Sequence, residues 1–436
     1  MKFKYYKLII ALFLMLIFGN IDQSFSQEFK AAVVKKSITP DRSLRLINYG
    51  GRQSTGVHDS IFHRIIVMDD GDERLFLVSS ELCFISPSTY DEVAEVLNDK
   101  YNIQAKSFWW SVTHTHSTPG IGTHGLVRTI RENNKKTYGI PPDPLYTKMV
   151  IDQLVEGIGE ALDRLEPAHL GVGWGYSNAN INRRARDIHG NVSLGMNPDG
   201  AVDRRIGLLK ITKSKDESIL ALIANYPIHG TVIGQGGTEI SGDAPGVVSE
   251  YVESEIGAPL VFINGAAGNL APIYSTYPSP SAGHLDQFKA LLGDNIIKAQ
   301  ANIKTQIPNI RLKIGELLFR APMKKDVEWP PELADYHNQE TLEVNMPIRF
   351  LKINDDIGIW SAPLELFCEI SNEIRDRSPF AYTFYFGYTN GWLGYLPTEE
   401  EYKHGGYELL VSPYLPSTGA EMIDQVSSYL ESELKK

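Results

Sequence analysis

Three short apolar runs each end in a turn that carries reactive or conformationally special residues, and this pattern narrows the possible folds sharply. Trp109-Trp110-Ser111-Val112 leads into Thr113-His114-Thr115-His116-Ser117-Thr118-Pro119-Gly120. Ala221–Tyr226 leads into Pro227-Ile228-His229-Gly230, and Leu260–Ile263 into Asn264-Gly265-Ala266-Ala267-Gly268-Asn269. Apolar runs this short, bounded by Gly and Pro, read as buried strands. Layered α/β proteins gather their ligand sites at strand ends.

The rest of the chain supports the same class. Arg64–Met68 and Leu75–Ser79 read as two strands about an Asp70-Gly71 turn. Ser88–Lys100 has helical periodicity with Val93, Val96 and Leu97 on its apolar face, and Tyr146–Leu165 is a second amphipathic helix. Ser361–Arg377 begins as a strand end and becomes a helix. No repeat or low-complexity linker divides the chain, so residues 27–436 are expected to form one large mixed α/β domain.

Residues 1–26 read as a cleaved secretory signal. Lys2, Lys4 and Lys7 precede an unbroken apolar run, Leu8–Phe18, and Ser24-Phe25-Ser26 places small residues where cleavage is decided. No cysteine follows the run, and no second long apolar stretch occurs, so a secreted or periplasmic protein without stable membrane insertion is expected. A formal net charge of −11 gives no basic field for nucleic acid. Cys83 and Cys368 both sit among apolar residues and read either as a disulfide or as two buried thiols.

Histidines two apart on an extended chain, such as His114 and His116, point to one face, and neutral imidazole is a common metal ligand. His229, directly after a buried strand, is a candidate second ligand. Glu365 lies inside the apolar run Pro363-Leu364-Glu365-Leu366-Phe367, where a carboxylate is costly unless paired or metal-bound. Two histidines and one glutamate form a familiar catalytic zinc set with an open position. The turns at Gly242–Gly246 and Asn264–Asn269 suit close backbone approach to such a site. Arg183, Arg184 and Arg186 read either as a solvated charged loop or as forks for carboxylate or sulfate oxygens.

Taken in order, Thr113–Gly120, Asn180–Arg183, His229-Gly230, Asn264–Pro272 and Pro363–Phe367 resemble the neutral/alkaline non-lysosomal ceramidase family, over about Val33 to Ile423. The resemblance implies that family's catalytic-domain fold and a Zn²⁺ ion held by His114, His229 and Glu365. It also implies a site role for Tyr395, as ligand or acid/base group, and places His116 and Arg183 in the substrate pocket. Family members hydrolyse the amide of ceramide. Three departures stand out. The family's Gly-Asp-Val-Ser-Pro turn reads Gly268-Asn269-Leu270-Ala271-Pro272, the C-terminal β-sandwich is not expected, and Arg184 and Arg186 enlarge the arginine motif.

These departures set the functional expectation. With Ala271 in the serine's place and three arginine forks, the favoured reading is a zinc-dependent dehydratase or lyase. It would form an unsaturated uronic acid at the non-reducing end of an anionic, ulvan-like oligosaccharide. In that reading His116 and Tyr395 move protons and Arg183, Arg184 and Arg186 bind the substrate. The alternatives are a zinc amidohydrolase of ceramidase type and a non-catalytic binding protein. A complete ligand set argues against the last.

Overall fold

The computed structural model describes residues 28–47, 50–130, 138–234, 236–273, 284–307 and 309–434. The expected signal segment, 1–26, lies outside the described residues. In chain order the first strands are β1 (Lys30–Ser37), β2 (Phe62–Asp69), β3 (Arg74–Ser80), β4 (Phe108–Val112), β5 (Glu166–Tyr176), β6 (Asn180–Arg186), β7 (Val192–Asn197), β8 (Arg205–Lys213) and β9 (Ile219–Tyr226). Then follow β10 (Leu260–Asn264), β11 (Leu270–Pro272), β12 (Leu312–Pro322), β13 (Glu343–Ile353), β14 (Ile357–Ser361), β15 (Glu365–Leu366), β16 (Tyr382–Phe386) and β17 (Tyr395–Leu396). The longer helices are α1 (Pro87–Tyr101), α2 (Pro144–Asp163), α3 (Asp243–Ile256), α4 (Asp294–Ala301), α5 (Cys368–Arg377) and α6 (Thr418–Leu434).

An eight-stranded sheet has the order β10-β9-β8-β5-β1-β2-β3-β4, and a second has the order β12-β13-β14-β16. The alternation along β2 explains why its central run, Ile65–Met68, is apolar without a break. Ile66 and Met68 face a core shared with Leu351, Ile359 and Phe384 of the second sheet, whereas Ile65 and Val67 face α1 and α2. A stretch buried on both faces reads as a continuous apolar run, and the polar residues just before it, His63 and Arg64, are buried with partners of their own, Ser80 and Glu81. On its far side the second sheet buries Phe350 and Trp360 against Ile370 and Ile374 of α5 and Met422 and Val426 of α6. The layers therefore run helices, sheet, sheet, helices, which is the mixed α/β class read from the sequence. The helix expected at 88–100 is α1, with Val93 and Leu97 buried but Val96 45% exposed, so its apolar face is narrower than the periodicity suggested.

Within these two sheets most neighbours are antiparallel, but three pairs are parallel: β3 with β4, β9 with β10, and β14 with β16. Those pairs send the chain out toward the chemistry-bearing turns. The large sheet also curls until its ends meet. β10 touches β2, β3 and β4, and Ser79 Oγ donates to the Phe262 carbonyl at 2.5 Å. Right-handed strand twist accumulating over many strands produces this closure. It brings the turns after β4 and β9 together although these strands are far apart in the sheet order.

Cys83 and Cys368 are both buried thiols, which resolves the choice between disulfide and thiols. Among the described residues no helix is long and apolar enough to cross a membrane.

His63 on β2 tests the buried interface between the large sheet and α2. Its Nδ1 lies 2.6 Å from Ser80 Oγ and its Nε2 2.9 Å from the Val150 carbonyl. Burial lowers its pKa to about 4. The unfolded chain then binds a proton that the folded protein refuses, so stability falls as pH drops from about 6.5 to about 4, by on the order of 3 kcal/mol. Denaturant titrations across this range should show that slope, and His63→Gln should remove this part of it. Equal slopes in the two proteins would exclude His63 as the source.

Candidate metal centre

The two histidine turns are tied directly through their backbones. Thr115 and Gly230 form a parallel bridge. The His116 amide donates to the Gly230 carbonyl at 2.9 Å, and the Gly230 amide to the His114 carbonyl at 3.3 Å. A Cβ on Gly230 would lie 2.6 Å from Thr115 Cα and 2.8 Å from the His114 oxygen, so only glycine permits the approach. His114 itself adopts φ 63°, a strained conformation for a side-chain-bearing residue. Gly268 plays the matching part for the carboxylate segment. Its amide donates to the Leu366 carbonyl at 2.8 Å, and a Cβ there would meet the Glu365 carbonyl at 2.5 Å.

Backbone carbonyls orient both rings. His114 Nδ1 lies 2.7 Å from the Cys83 carbonyl, and His229 Nδ1 lies 2.9 Å from the Leu270 carbonyl. A carbonyl only accepts, so each Nδ1 donates its proton outward and each Nε2 is turned inward. Glu365 Oε2 faces them, 3.3 Å from His114 Nε2 and 3.1 Å from His229 Nε2. The other oxygen, Oε1, accepts from Trp392 Nε1 at 2.9 Å. His116 Nε2 is 3.2 Å from His114 Nε2, and the Tyr388 ring stacks on His114 with centroids 4.4 Å apart.

Charge confirms how unusual this group is. Burial opposes protonation of His114, but the Glu365 carboxylate and Cys83 outweigh it and raise its pKa to about 10. Burial and the adjacent Arg183 lower His229 to about 4. Burial and the neighbouring histidines push His116 well below the ordinary range. Buried Glu365 Oε2 has no well-formed hydrogen bond among the described residues. Two inward nitrogens and an under-satisfied carboxylate oxygen, all buried, are what a cation would satisfy. Their spacings match the roughly 3.3 Å between adjacent ligand atoms implied by tetrahedral bonds of about 2.0–2.1 Å. His114, His229 and Glu365 thus form a group able to hold a metal ion, and Cys83, His114 and His116 form a second, overlapping one.

Of the remaining residues singled out in the sequence, Arg183 and Tyr395 join this cluster. Arg183 Nη1 lies 2.8 Å from His229 Nε2, and its Nη2 donates to the Tyr395 hydroxyl at 3.1 Å. Tyr395 and Glu365 are register partners in the short β15–β17 parallel ladder. Arg184 and Arg186 do not reach the cluster. The stretch that carries them is strand β6 rather than a loop, paired with β11 and β7. Arg184 is buried and donates to Glu401 at 2.9 Å, Glu408 at 2.6 Å and the Gly405 carbonyl at 2.7 Å. Arg186 donates to Glu401 at 2.7 Å. Sequence reasoning missed Glu408, Tyr388 and Trp392 as individual site residues. The last two fall in the Gly387–Tyr395 run, and their aromatic character was the one available signal.

Fold and site together define a mixed α/β protein with a buried two-histidine, one-carboxylate metal-type cluster at strand ends. Residues 44–266 match the family description "neutral/alkaline non-lysosomal ceramidase, N-terminal", and the chain belongs to that family. Neutral ceramidase of Pseudomonas aeruginosa is 26% identical over 238 residues, 52% of this chain and 34% of that protein. Neutral ceramidase of Mycobacterium tuberculosis is 26% identical over 252 residues, 55% of this chain and 38% of that protein. The chain thus spans little more than a third of the length of these curated relatives. The crystal structure of the Pseudomonas aeruginosa neutral ceramidase superimposes with a TM-score of 0.73 at 19% identity, covering 94% of this chain and 75% of that one. A ceramidase complexed with C2 gives 0.72 at 18% identity, covering 93% and 76%. These structures share the fold.

The expectation of a lyase or dehydratase acting on an anionic oligosaccharide is overturned, because the relatives are ceramidases, which are hydrolases. The physical error lay in the arginines. Read as free forks, Arg184 and Arg186 argued for an anionic substrate, but their charges are matched by Glu401 and Glu408 within the protein.

Gly230→Ala should destabilise the fold by about 2 kcal/mol or more and abolish metal retention, because the added methyl forces the two histidine turns apart. Gly236→Ala, with nothing near the added carbon, serves as the control. Thermal unfolding and metal analysis of both variants check this; an unperturbed Gly230→Ala protein with full metal occupancy would refute it.

Proposed function

We propose that the protein is a zinc-dependent amidohydrolase of ceramidase type that cleaves an N-acylsphingosine or a closely related N-acyl lipid. The observation that carries the reading is the convergence of His114 Nε2, His229 Nε2 and Glu365 Oε2 beside the Arg183–Tyr395 pair, in a chain of this family. In this reading His114, His229 and Glu365 hold the ion. Zinc in such a site lowers the pKa of a bound water to about 7 and polarises the amide carbonyl.

The other side chains supply what an amide hydrolysis needs. Burial, reinforced by Glu365, raises the Tyr395 phenol well above its ordinary range, so it keeps its proton and donates it as a hydrogen bond. Tyr395 Oη and the Arg183 guanidinium then stabilise the negative charge that develops on the amide oxygen. His116 is half-buried at the edge of the cluster with its Nε2 3.2 Å from His114 Nε2, so its imidazole is placed to accept a proton from the attacking water and return it to the leaving amine. Ala271 offers no nucleophile, and the scheme asks none of it.

A cavity of about 530 Å³ with both apolar (Leu44, Ile47, Ile140) and charged (Arg42, Arg45, Asp143) lining includes Pro119 and Gly120 of the His116 turn, a mixed character that would suit an amphiphile. The Lys-rich, apolar N-terminus supports export, and we propose that the enzyme acts outside the cytoplasm.

The test is direct. Incubation with N-acylsphingosine should release fatty acid and free amine in equal amounts. A chelator should stop the release and added zinc should restore it. His114→Ala should lose both bound zinc and activity, with turnover down at least about a thousandfold. Zinc-replete protein that leaves a panel of N-acyl lipids intact would overturn the proposal, and full zinc occupancy in His114→Ala would overturn the ligand assignment.

A further inference from the structure

The buried charges next to the metal cluster include a carboxylate with no part in the scheme above. Glu408 lies in a one-turn helix, Tyr407–Leu410, and is fully buried. Its Oε1 accepts from Arg183 Nε at 2.8 Å, and its Oε2 accepts from Arg184 Nη1 at 2.6 Å. The other Arg183 nitrogens face the site, Nη1 toward His229 Nε2 and Nη2 toward Tyr395 Oη. A guanidinium is planar and rigid, so a carboxylate fixed on its Nε edge fixes the direction of both Nη groups.

The arrangement has a second consequence. Arg183 is a permanent cation directly against His229 Nε2, an atom assigned above to a metal ion. Two cations in a buried site repel strongly unless a compensating charge is near. Glu408 is the carboxylate in contact with Arg183. Arg184 also leans on Glu408, but it has Glu401 and the Gly405 carbonyl as well.

We infer that Glu408 is a positioning residue for the metal centre: it aims Arg183 at Tyr395 and offsets part of its charge, so that a dication can be held beside it by His229. Glu408 touches neither ion nor substrate and acts through Arg183. The inference rests on the metal assignment to His114, His229 and Glu365, but not on the identity of the lipid substrate.

The experiment measures zinc retention rather than turnover. Holoprotein is titrated with a competing chelator, and bound zinc is read as a function of free zinc. Glu408→Gln keeps the shape and removes the charge, and should weaken zinc binding by about tenfold to a hundredfold. Arg183→Met should hold zinc as tightly as wild type or more tightly. Arg183→Met/Glu408→Gln should recover most of the affinity lost in Glu408→Gln, because the uncompensated cation is gone. A residue that merely supports the fold would not show this rescue, since removing a second buried side chain would add to the damage.

Zinc held equally by wild type and Glu408→Gln overturns the inference and leaves the metal assignment standing. So does a double variant no better than Glu408→Gln. Wild-type protein that retains no zinc overturns both. Should Glu408→Gln fail to fold, Arg183→Met decides alone: weakened zinc binding in that variant contradicts the inference, and unchanged or tighter binding upholds it.

Discussion

The contact between Thr115 and Gly230 is the constraint on which the site depends. His114 and His116 follow strand β4 and His229 follows β9, and these strands are not neighbours in the large sheet. Only the curling of that sheet brings their ends together, and only the missing Cβ of Gly230 lets the two backbones join. The ring nitrogens then fall into place because each Nδ1 is pinned by a carbonyl, one from the turn after β3 and the other from β11. The second sheet contributes Glu365 just beyond β14, and Gly268 permits the close approach that seats it. The cluster is therefore a product of closure. It exists only when both sheets and their connecting turns are in register, which couples metal binding to the stability of the whole fold.

A second level of order comes from charge. Arg183, Arg184 and Arg186 on β6 face Glu401 and Glu408, more than 200 residues later. Burial alone would raise the Glu408 pKa, but Arg183 and Arg184 outweigh it and hold the carboxyl below its ordinary range. Such a network is expensive to desolvate, and losing one member strands the others. It fastens the 401–408 segment to β6. In doing so it places Tyr407 edge-on to Tyr395, with ring centroids 5.9 Å apart.

Much of this was legible in the sequence, and the rest was hidden for physical reasons. The strands that feed the histidines, helices α1 and α2 and the mixed α/β class follow from local patterns of apolarity and turn residues. The ligand candidates follow from their positions just past buried runs. The strand at β6 was not legible, because Asn-Ile-Asn-Arg-Arg-Ala-Arg looks like a surface loop until its carboxylate partners are known. Those partners are distant in sequence, and pairing over such separations leaves no local trace. Glu408 was invisible for the same reason. In the sequence it is one acidic residue in a polar stretch, whereas in the fold it is completely buried between two guanidinium groups. Curling of the large sheet was equally hidden, since periodicity reports which face of a strand is buried but not how far a sheet twists.

The arginines also show why composition misleads about substrate. Three cations within four residues suggest an anionic ligand only if their charges are unspent. Here Glu401 and Glu408 take up Arg184 and Arg186, and Arg183 is divided between Glu408 and the cluster. What remains to face a substrate is one partly neutralised guanidinium beside a protonated phenol. The arginine motif by itself therefore gives no reason to expect a carboxylate or sulfate on the substrate. The guanidinium and phenol are well matched to a neutral amide whose oxygen becomes negative only during the reaction, since the donors are already in place and the charge they stabilise is absent from the ground state. The arginines that suggested an anionic substrate therefore carry no such preference, and the donors they leave at the site suit the neutral amide proposed above.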